Sequence, residues 1–175
     1  AALLAAEGYR EQNNGKQASR ILRAAWQLAP HPELAAGFAA LAPDEAPTAR
    51  LKRFAQFAKG TEPHAETKML MAELHVALAD FDGARRALGE HAKTDPTMRA
   101  LTILAAIERG DGADDQSVRQ LLTQAISAQR DPQWICENCG HVHHDWEPVC
   151  LNCEAIDSIA WKHPPMSEAV SPDML

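Results

Sequence analysis

The sequence predicts an all-α helical solenoid followed by a small β ribbon that is stabilised by a metal ion. Three observations lead to this fold class. Of the 33 alanines, 30 precede residue 131, while aromatic residues make up only 5% of the chain. Prolines recur at positions 30, 63 and 96, with 33 residues from each to the next. All four cysteines lie between positions 136 and 153, where they form two C-x2-C pairs.

The alanine-rich part has the composition of closely packed helices. Alanine has the highest helix propensity, and the scarcity of β-branched and aromatic residues argues against a β-sandwich or barrel. Because proline cannot continue a helix, each proline marks the end of a helical stretch. These stretches cover residues 16–29, 48–61, 83–95 and 116–131, and residues 67–79 and 98–107 carry an apolar face at helical spacing. The pattern predicts consecutive pairs of helices.

The segments that precede the prolines also match one another. The residues that stand twelve, eight and five positions before each proline are predicted to lie where two helices pack closely together. A two-helix unit of this length resembles the tetratricopeptide repeat. We place units at 1–30, 33–63, 65–96 and 99–131, so that residues 1–131 form one domain; a helical bundle without repeats is the alternative. The matched residues are Ala18, Leu22 and Ala25, then Leu51, Ala55 and Ala58, then Ala84, Leu88 and His91.

Repeats of this kind bind protein partners along the concave face that their first helices line. In the third unit, the residues expected on this face, and therefore predicted to bind a partner, are Glu66, Met69, Glu73 and Val76. The alternative is that the two glutamates are merely solvated and the other two residues belong to the core. Since such repeats rarely catalyse reactions themselves, the sequence predicts a non-enzymatic scaffold with a protein partner.

The cysteines predict a four-thiolate metal site. Two C-x2-C turns that face each other place Cys136, Cys139, Cys150 and Cys153 at the corners of a tetrahedron, the geometry of structural zinc. Four thiolates also bind iron, as in rubredoxin, so Fe in the same site is the open alternative. A disulfide framework needs an oxidising compartment, and a redox C-x2-C motif usually occurs singly beside a βαβ unit. These two interpretations fit less well.

The surroundings of the cysteines predict a zinc ribbon over residues 132–162. Short strands are expected at 133–135, 140–144 and 156–161, and the three histidines between the cysteine pairs are expected at the surface. A module this small cannot fold on its own core, so the metal must supply much of its stability. Trp134, Trp146 and Trp161 are expected to cover the cysteine turns and to dock the ribbon on the last helix pair. Residues 163–175 are expected to be disordered.

The charge distribution excludes a nucleic-acid binder. Residues 1–130 carry 16 basic and 16 acidic residues, whereas residues 131–175 carry 1 and 8, which accounts for the whole net charge of −7. A zinc ion with four thiolates would add about −2 more. This surface repels phosphates, so we expect a basic or neutral protein surface as its contact. The chain also lacks an initiator methionine, and we expect it to be part of a longer protein.

Three motifs in the ribbon carry a resemblance to a known family. They are W-x-C-x2-C-G from Trp134, W-x-P-x-C-x2-C from Trp146 and I-D-S-I-x-W from Ile156. Together with residues 29–35 and 50–51 of the repeats, they resemble alphaproteobacterial proteins of the HemY family, and the resemblance covers most of residues 16–162. Second turns of such ribbons usually have glycine and proline where this chain has Glu154 and Leu151, which predicts a more strained turn.

The resemblance implies an inner-membrane protein with N-terminal transmembrane helices and a repeat domain on the cytoplasmic face. The family is associated with late haem biosynthesis and has no established catalytic activity. The LapB-like proteins, membrane-anchored repeat proteins with a rubredoxin-like module that regulate lipopolysaccharide synthesis, are the runner-up. Haem or porphyrin is a further candidate ligand because several histidines are available, although no C-x2-C-H motif occurs. These histidines are His31, His64, His75 and His91.

Overall fold

A computed structural model of the chain describes residues 1–165. This part is mostly helical, with a small antiparallel sheet at its C-terminal end, as predicted. None of the helices in residues 1–165 is long and apolar enough to cross a membrane. The elements are α1 (Ala2–Glu11), α2 (Gly15–Leu28), α3 (Pro32–Ala39), α4 (Pro47–Phe57), α5 (Ala65–Val76), α6 (Phe81–Leu88), α7 (His91–Thr94), α8 (Met98–Gly110), α9 (Asp115–Ser127), β1 (Gln133–Cys136), β2 (Val142–His143) and β3 (Ile159–Lys162).

The helices pack mainly as neighbours in sequence. Helix α1 lies against α2, α5 against α6, and α8 against α9, with short turns between the members of each pair. Both helices of one pair contact the first helix that follows, because α1 and α2 contact α3, and α5 and α6 contact α8. This packing brings charged residues of α5 and α8 together.

The 33-residue spacing of the prolines marks the starts of three helices. Helices α3, α5 and α8 each begin two residues after one of these prolines. The residue between the proline and the helix is the N-cap, whose side chain accepts a backbone N–H that has no partner inside the helix. The caps are His31 for the N–H of Glu33, His64 for that of Glu66, and Thr97 for that of Ala100.

Several of the expected helices end earlier than the sequence predicts, among them α4, which ends at Phe57 and not at residue 61. The stretch 83–95 is divided at Gly89, whose φ of 55° lies in the left-handed region that favours glycine. Helix α9 ends at Ser127 because the chain then turns back to α8. There the carbonyl of Gln129 accepts the N–H of Met98 at 2.9 Å, and Asp131 accepts the Thr97 hydroxyl at 2.8 Å. These contacts hold the segment that connects α9 to the ribbon against the start of α8.

The predicted contact residues of the second unit are partly wrong. Ala55 is exposed, whereas Phe54 and Phe57 are buried. The Phe57 ring stacks on Phe38 with centroids 4.2 Å apart and packs against Trp26. Aromatic rings bury more apolar area than alanine, so their packing sets the rotation of α4. In the first and third units, the first of the three predicted contact residues is buried as expected, since Ala18 and Ala84 are both fully buried.

The three strands form one antiparallel sheet in the order β2–β1–β3. Ile135 of β1 lies opposite Val142 of β2 on one side and Ala160 of β3 on the other. Strand β3 begins later than expected, at Ile159. Ile156, which was expected in the same strand, instead forms an isolated antiparallel bridge with Val149.

The ribbon docks on the start of α3 as well as on the last helix pair. The His31 ring packs against both Trp134 and Trp161, with ring centroids 5.4 and 4.2 Å away. The indole N–H of Trp134 donates to the Glu33 carboxylate. Close to α9, the His163 Nδ1–H donates to the Arg130 carbonyl at 2.7 Å. Of the expected disordered tail, residues 166–175 lie outside the described residues.

The environment of His31 predicts a pH dependence of this docking. Burial lowers the pKa of His31 below its ordinary value of 6.5, although Glu33 opposes the shift. The docked form therefore favours the neutral ring, so docking is most stable above pH 6.5 and weakens as the pH falls from there towards the lowered pKa. Imidazole titration by NMR should place His31 below this value.

His144 is the internal control for this titration. It is exposed, and its hydrogen bond with Asp145 raises its pKa above the ordinary value. The two histidines should therefore titrate on opposite sides of 6.5. A pKa of His31 at or above that of His144 would contradict the docking described here.

Candidate metal centre

The ribbon brings the four cysteine sulfurs together. All four Sγ atoms lie within 4.8 Å of one another. The distances Cys136–Cys153 and Cys139–Cys150 are each 3.7 Å. A tetrahedron with metal–sulfur bonds of about 2.3 Å has edges of about 3.8 Å. The four side chains could therefore hold one metal ion, and the identity of that ion, zinc or iron, is not fixed by these distances.

Each cysteine pair lies in a turn with the same two backbone hydrogen bonds. The carbonyl of the first cysteine accepts the N–H four residues later, and its own N–H donates to the carbonyl five residues later. All four distances are 2.9 Å. The bonds join Cys136 to Gly140 and His141 in the first turn, and Cys150 to Glu154 and Ala155 in the second. The second turn thus has the conformation of the first despite lacking the glycine.

The second turn places a glutamate where the backbone favours glycine. Gly140 has a φ of 72°, and Glu154 at the equivalent position has a φ of 60°. A residue with a Cβ in this region costs about 1–2 kcal/mol. The expected strain in the second turn therefore lies at Glu154.

Two substitutions at this position should have opposite effects on the ribbon. We expect Glu154→Gly to stabilise it by about 1 kcal/mol and Gly140→Ala to destabilise it by about the same amount. A Cβ on Gly140 would meet no atom within 4 Å, so the second effect reports backbone conformation alone. Chelator titration followed by tryptophan fluorescence measures the stability of the ribbon in both variants. A change of the same sign in both would contradict the placing of the backbone strain at Glu154.

Each sulfur also has one polar side-chain contact outside the cysteine set. The two asparagines make these contacts crosswise, because Asn138 of the first turn donates to Cys153, and Asn152 of the second donates to Cys139. Sequence reasoning did not identify them, although both turns read C-x-N-C. The distances are 3.4 Å for Asn138–Cys153, 3.5 Å for Asn152–Cys139, 3.3 Å for Ser158–Cys136 and 3.3 Å for His143–Cys150.

The surroundings of the thiols shift their pKa values in different directions. The hydrogen bond from Ser158 lowers the pKa of Cys136 to about 6, and the amide of Asn152 lowers the pKa of Cys139. Burial raises the pKa of Cys150 to about 11. The Cys150 thiolate therefore lacks a compensating positive charge among the protein groups. A bound metal ion would supply that charge, so the donor set fits a cation at the centre.

One of the three histidines between the cysteine pairs is not at the surface. His143 is buried, with its Nε2 atom 3.3 Å from Cys150 Sγ and its Nδ1 atom 3.6 Å from the Glu147 carboxylate. The pairing of β2 with β1 turns this side chain towards the sulfurs, which spacing alone could not show. Its position is that of a residue which orients a metal ligand from outside the ligand set.

The four residues predicted to bind a partner are largely engaged within the chain. Glu66 and Met69 are 8% and 5% exposed. The Arg99 guanidinium binds Glu66 at 2.8 Å and both carboxylate oxygens of Glu73 at 2.7 and 2.8 Å. Val76 packs against the core cluster of α5, α6 and α8. Their role in partner binding stays a prediction, to which the structure adds a role in joining α5 to α8.

A groove of about 250 Å³ runs between α3 and α5 next to these ion pairs. Its walls are mainly small or apolar side chains, among which Ala36 is exposed. Four charged residues also line it, namely Arg50, Glu66, Glu73 and Arg99. The apolar and charged lining suits a peptide segment better than a highly charged ligand.

Three of the four histidines considered for haem or porphyrin have local hydrogen-bonding roles. His31 and His64 cap helices, and His75 lies 2.7 Å from the Asp80 carboxylate. His91 is buried at the start of α7. Binding of haem or porphyrin by these residues stays a prediction.

Comparison with known proteins gives one distant relative. No family model matches the chain. The chain is similar to the probable magnetosome protein Mms48 of Magnetospirillum gryphiswaldense, with 27% identity over 146 residues. The similar region covers 83% of this chain and 32% of that protein. The chain thus spans about a third of the length of this relative.

Proposed function

We propose that the chain is a non-catalytic scaffold that binds a protein partner through tetratricopeptide-like repeats and carries a structural Zn(Cys)4 site in its ribbon. The observation that carries the metal part is the cluster of four cysteine sulfurs within 4.8 Å. The partner part is supported by the groove between α3 and α5 and by the recurrence of proline and N-cap at helix starts 33 residues apart. Zinc is favoured because a closed set of four thiolates is typical of structural zinc.

Zinc and iron can be distinguished in the purified chain. Elemental analysis should give one zinc per chain, and the protein should be colourless. The alternative, a rubredoxin-like Fe(Cys)4 redox module, predicts stoichiometric iron and visible absorption bands. Both measurements should be made on protein from zinc-supplemented and from iron-supplemented cultures, since expression conditions can change the metal that is loaded. Iron in both preparations would overturn the structural-zinc proposal.

Blocking the groove tests the scaffold part of the proposal. Ala36→Arg fills the groove from an exposed position on α3, and Ala24→Arg introduces the same charge at an exposed position on α2, away from the residues that line the groove. In a crosslinking pulldown from native membranes, we expect the unmodified chain and Ala24→Arg to recover a specific partner. We expect Ala36→Arg to recover none. Equal recovery of partners with both variants would contradict binding in the groove.

For the cellular role, we propose the cytoplasmic part of a membrane-anchored HemY-like protein associated with haem biosynthesis. The support is the resemblance of the ribbon motifs and of the repeat region described above. The alternative is a LapB-like regulator of lipopolysaccharide synthesis. The similarity to a probable magnetosome protein adds a third context, that of the magnetosome. Deletion of the gene separates these roles, because the first predicts accumulation of haem precursors and the second a change in lipopolysaccharide.

A further inference from the structure

The two halves of the ribbon repeat one another with an offset of 14 residues. The offset relates both cysteine pairs, and it relates Asn138 to Asn152 and Gly140 to Glu154. It also relates the strand contacts, because Ile135 lies opposite Val142 in the first half and Val149 lies opposite Ile156 in the second. What covers a residue in one half can therefore be compared directly with what covers its counterpart in the other.

The halves differ at their outer edges. In the first half, β3 pairs along β1, and the N–H of Glu137 donates to the Ser158 carbonyl at 2.7 Å. The counterpart of Glu137 is Leu151. Its N–H donates to no backbone carbonyl within residues 1–165, and no described strand pairs with the second half at the position that β3 occupies in the first.

The direction of the backbone groups shows which edge is open. The N–H of Cys150 and the carbonyl of Pro148 both point inward, to Ala155 and Asp157, at 2.9 Å each. Because backbone groups alternate sides along a strand, those of Val149 and Leu151 point outward. Pro148 has no N–H, but the N–H of another residue at this position would point inward. The proline therefore does not prevent a strand from pairing at the outer edge.

Large apolar side chains surround this open edge. Ile135, whose strand pairs with β3, is 2% exposed, whereas its counterpart Val149 is 41% exposed. Leu151 and Ile156 are 76% and 78% exposed. A strand added at this edge would place its side chains beside these exposed apolar residues.

The charges around the edge are all acidic. Glu147, Glu154 and Asp157 lie within or beside the second turn, and residues 131–161 contain no lysine or arginine. The nearest basic residue along the chain, Lys162, lies 3.5 Å from Glu137 of the first half. A second copy would bring like charges together, so complementarity favours a basic segment of another protein.

We propose that the outer edge of residues 149–151 binds an extended segment of a partner protein, in which apolar residues alternate with lysine or arginine. The segment adds as an antiparallel strand, as β3 does on β1, so main-chain hydrogen bonds provide affinity and the acidic surroundings select basic side chains. This surface is distinct from the groove between α3 and α5. The proposal is independent of the metal's identity, because it requires only that the ribbon be folded.

A peptide titration tests the proposal on the full metal-loaded chain. The probe is a fluorescein-labelled peptide of about eight residues with alternating valine and lysine. We expect saturable binding by fluorescence anisotropy, together with slower amide hydrogen exchange at Val149 and Leu151. N-methylation of alternate peptide nitrogens, or replacement of lysine by glutamate, should weaken binding about tenfold or more, since each removes edge hydrogen bonds or charge complementarity.

Leu151→Pro is the decisive variant. It removes the outward N–H at a position where such turns usually have proline, so the turn should still fold. Unchanged metal content and tryptophan emission verify folding independently of peptide binding. Leu151→Ala, which keeps the N–H, is the matched control. We expect Leu151→Pro to weaken peptide binding about tenfold relative to Leu151→Ala.

Three results would overturn the proposal. The first is equal affinity of the two variants, or of the plain and the N-methylated peptide. The second is self-association of the chain at micromolar concentration that Leu151→Pro abolishes, because the occupant would then be a second copy. The third is tighter peptide binding by a chain that ends at Pro165, which would assign the edge to residues 166–175. Metal content is measured separately, so failure here is distinguishable from failure of the zinc site.

Discussion

Replacement of Cys136 by serine should remove the metal and unfold the ribbon while the helices remain. Structural zinc sites supply about 10–16 kcal/mol of folding free energy in small domains, far more than about 30 residues can obtain from their own core. The two core clusters of the helical array contain no ribbon residue. Metal content should fall below stoichiometric after dialysis against a chelator, and far-UV circular dichroism should change little.

The ribbon's release should also be visible in tryptophan emission. Trp134 and Trp161 pack on His31 only when the ribbon is docked, so their emission should shift to the red in Cys136→Ser. Asn138→Ala is the matched control, since it removes one contact to a sulfur and leaves all four ligands. It should keep stoichiometric metal with an affinity about 10–100-fold lower. Stoichiometric metal in Cys136→Ser would show that the ligand assignment is wrong.

Replacement of Arg99 by methionine should destabilise the helical array by about 3 kcal/mol, the lower end of the range for removing one partner of a buried ion pair. Arg99 is the common partner of Glu66 and Glu73, and Glu66 is the more buried of the two. Without Arg99, the Glu66 carboxylate would be buried without a counter-charge. Urea unfolding followed by circular dichroism measures the loss.

The pH dependence of this variant has a defined sign. Burial raises the pKa of Glu66, against the opposing effect of Arg99. Without Arg99, the folded state should favour the neutral carboxyl group still more, so the deficit relative to the unmodified chain should shrink as the pH falls. Arg99→Met combined with Glu66→Gln should recover part of the loss at neutral pH.

Arg85→Met is the control for the Arg99 experiment. Arg85 also binds two carboxylates, those of Glu108 and Asp111, but its side chain is more exposed. Exposed ion pairs contribute about 0–1 kcal/mol, so this variant should unfold almost like the unmodified chain. Equal losses for Arg85→Met and Arg99→Met would contradict the role of burial at Arg99.

The amino-acid sequence by itself determined the features that neighbouring residues encode. The proline at 33-residue intervals predicted where helices are interrupted, because proline and a capping residue act within one turn of the chain. The C-x2-C spacing predicted the cysteine cluster, since each turn places its own two thiols. Where local signals competed with packing, as for Phe54 and Ala55 in α4, the larger aromatic side chain was buried instead.

Only the tertiary structure decided which distant parts meet. The bond from Trp134 to Glu33 joins residues 101 positions apart, and no periodicity encodes such a contact. The same is true of Arg99, which joins α8 to the glutamates of α5. The open edge at Leu151 also depends on the tertiary structure, because β3 pairs with the first half of the ribbon and leaves this edge of the second half unpaired within residues 1–165. Side-chain packing and strand pairing over long separations depend on the whole fold, so a single sequence left them undetermined.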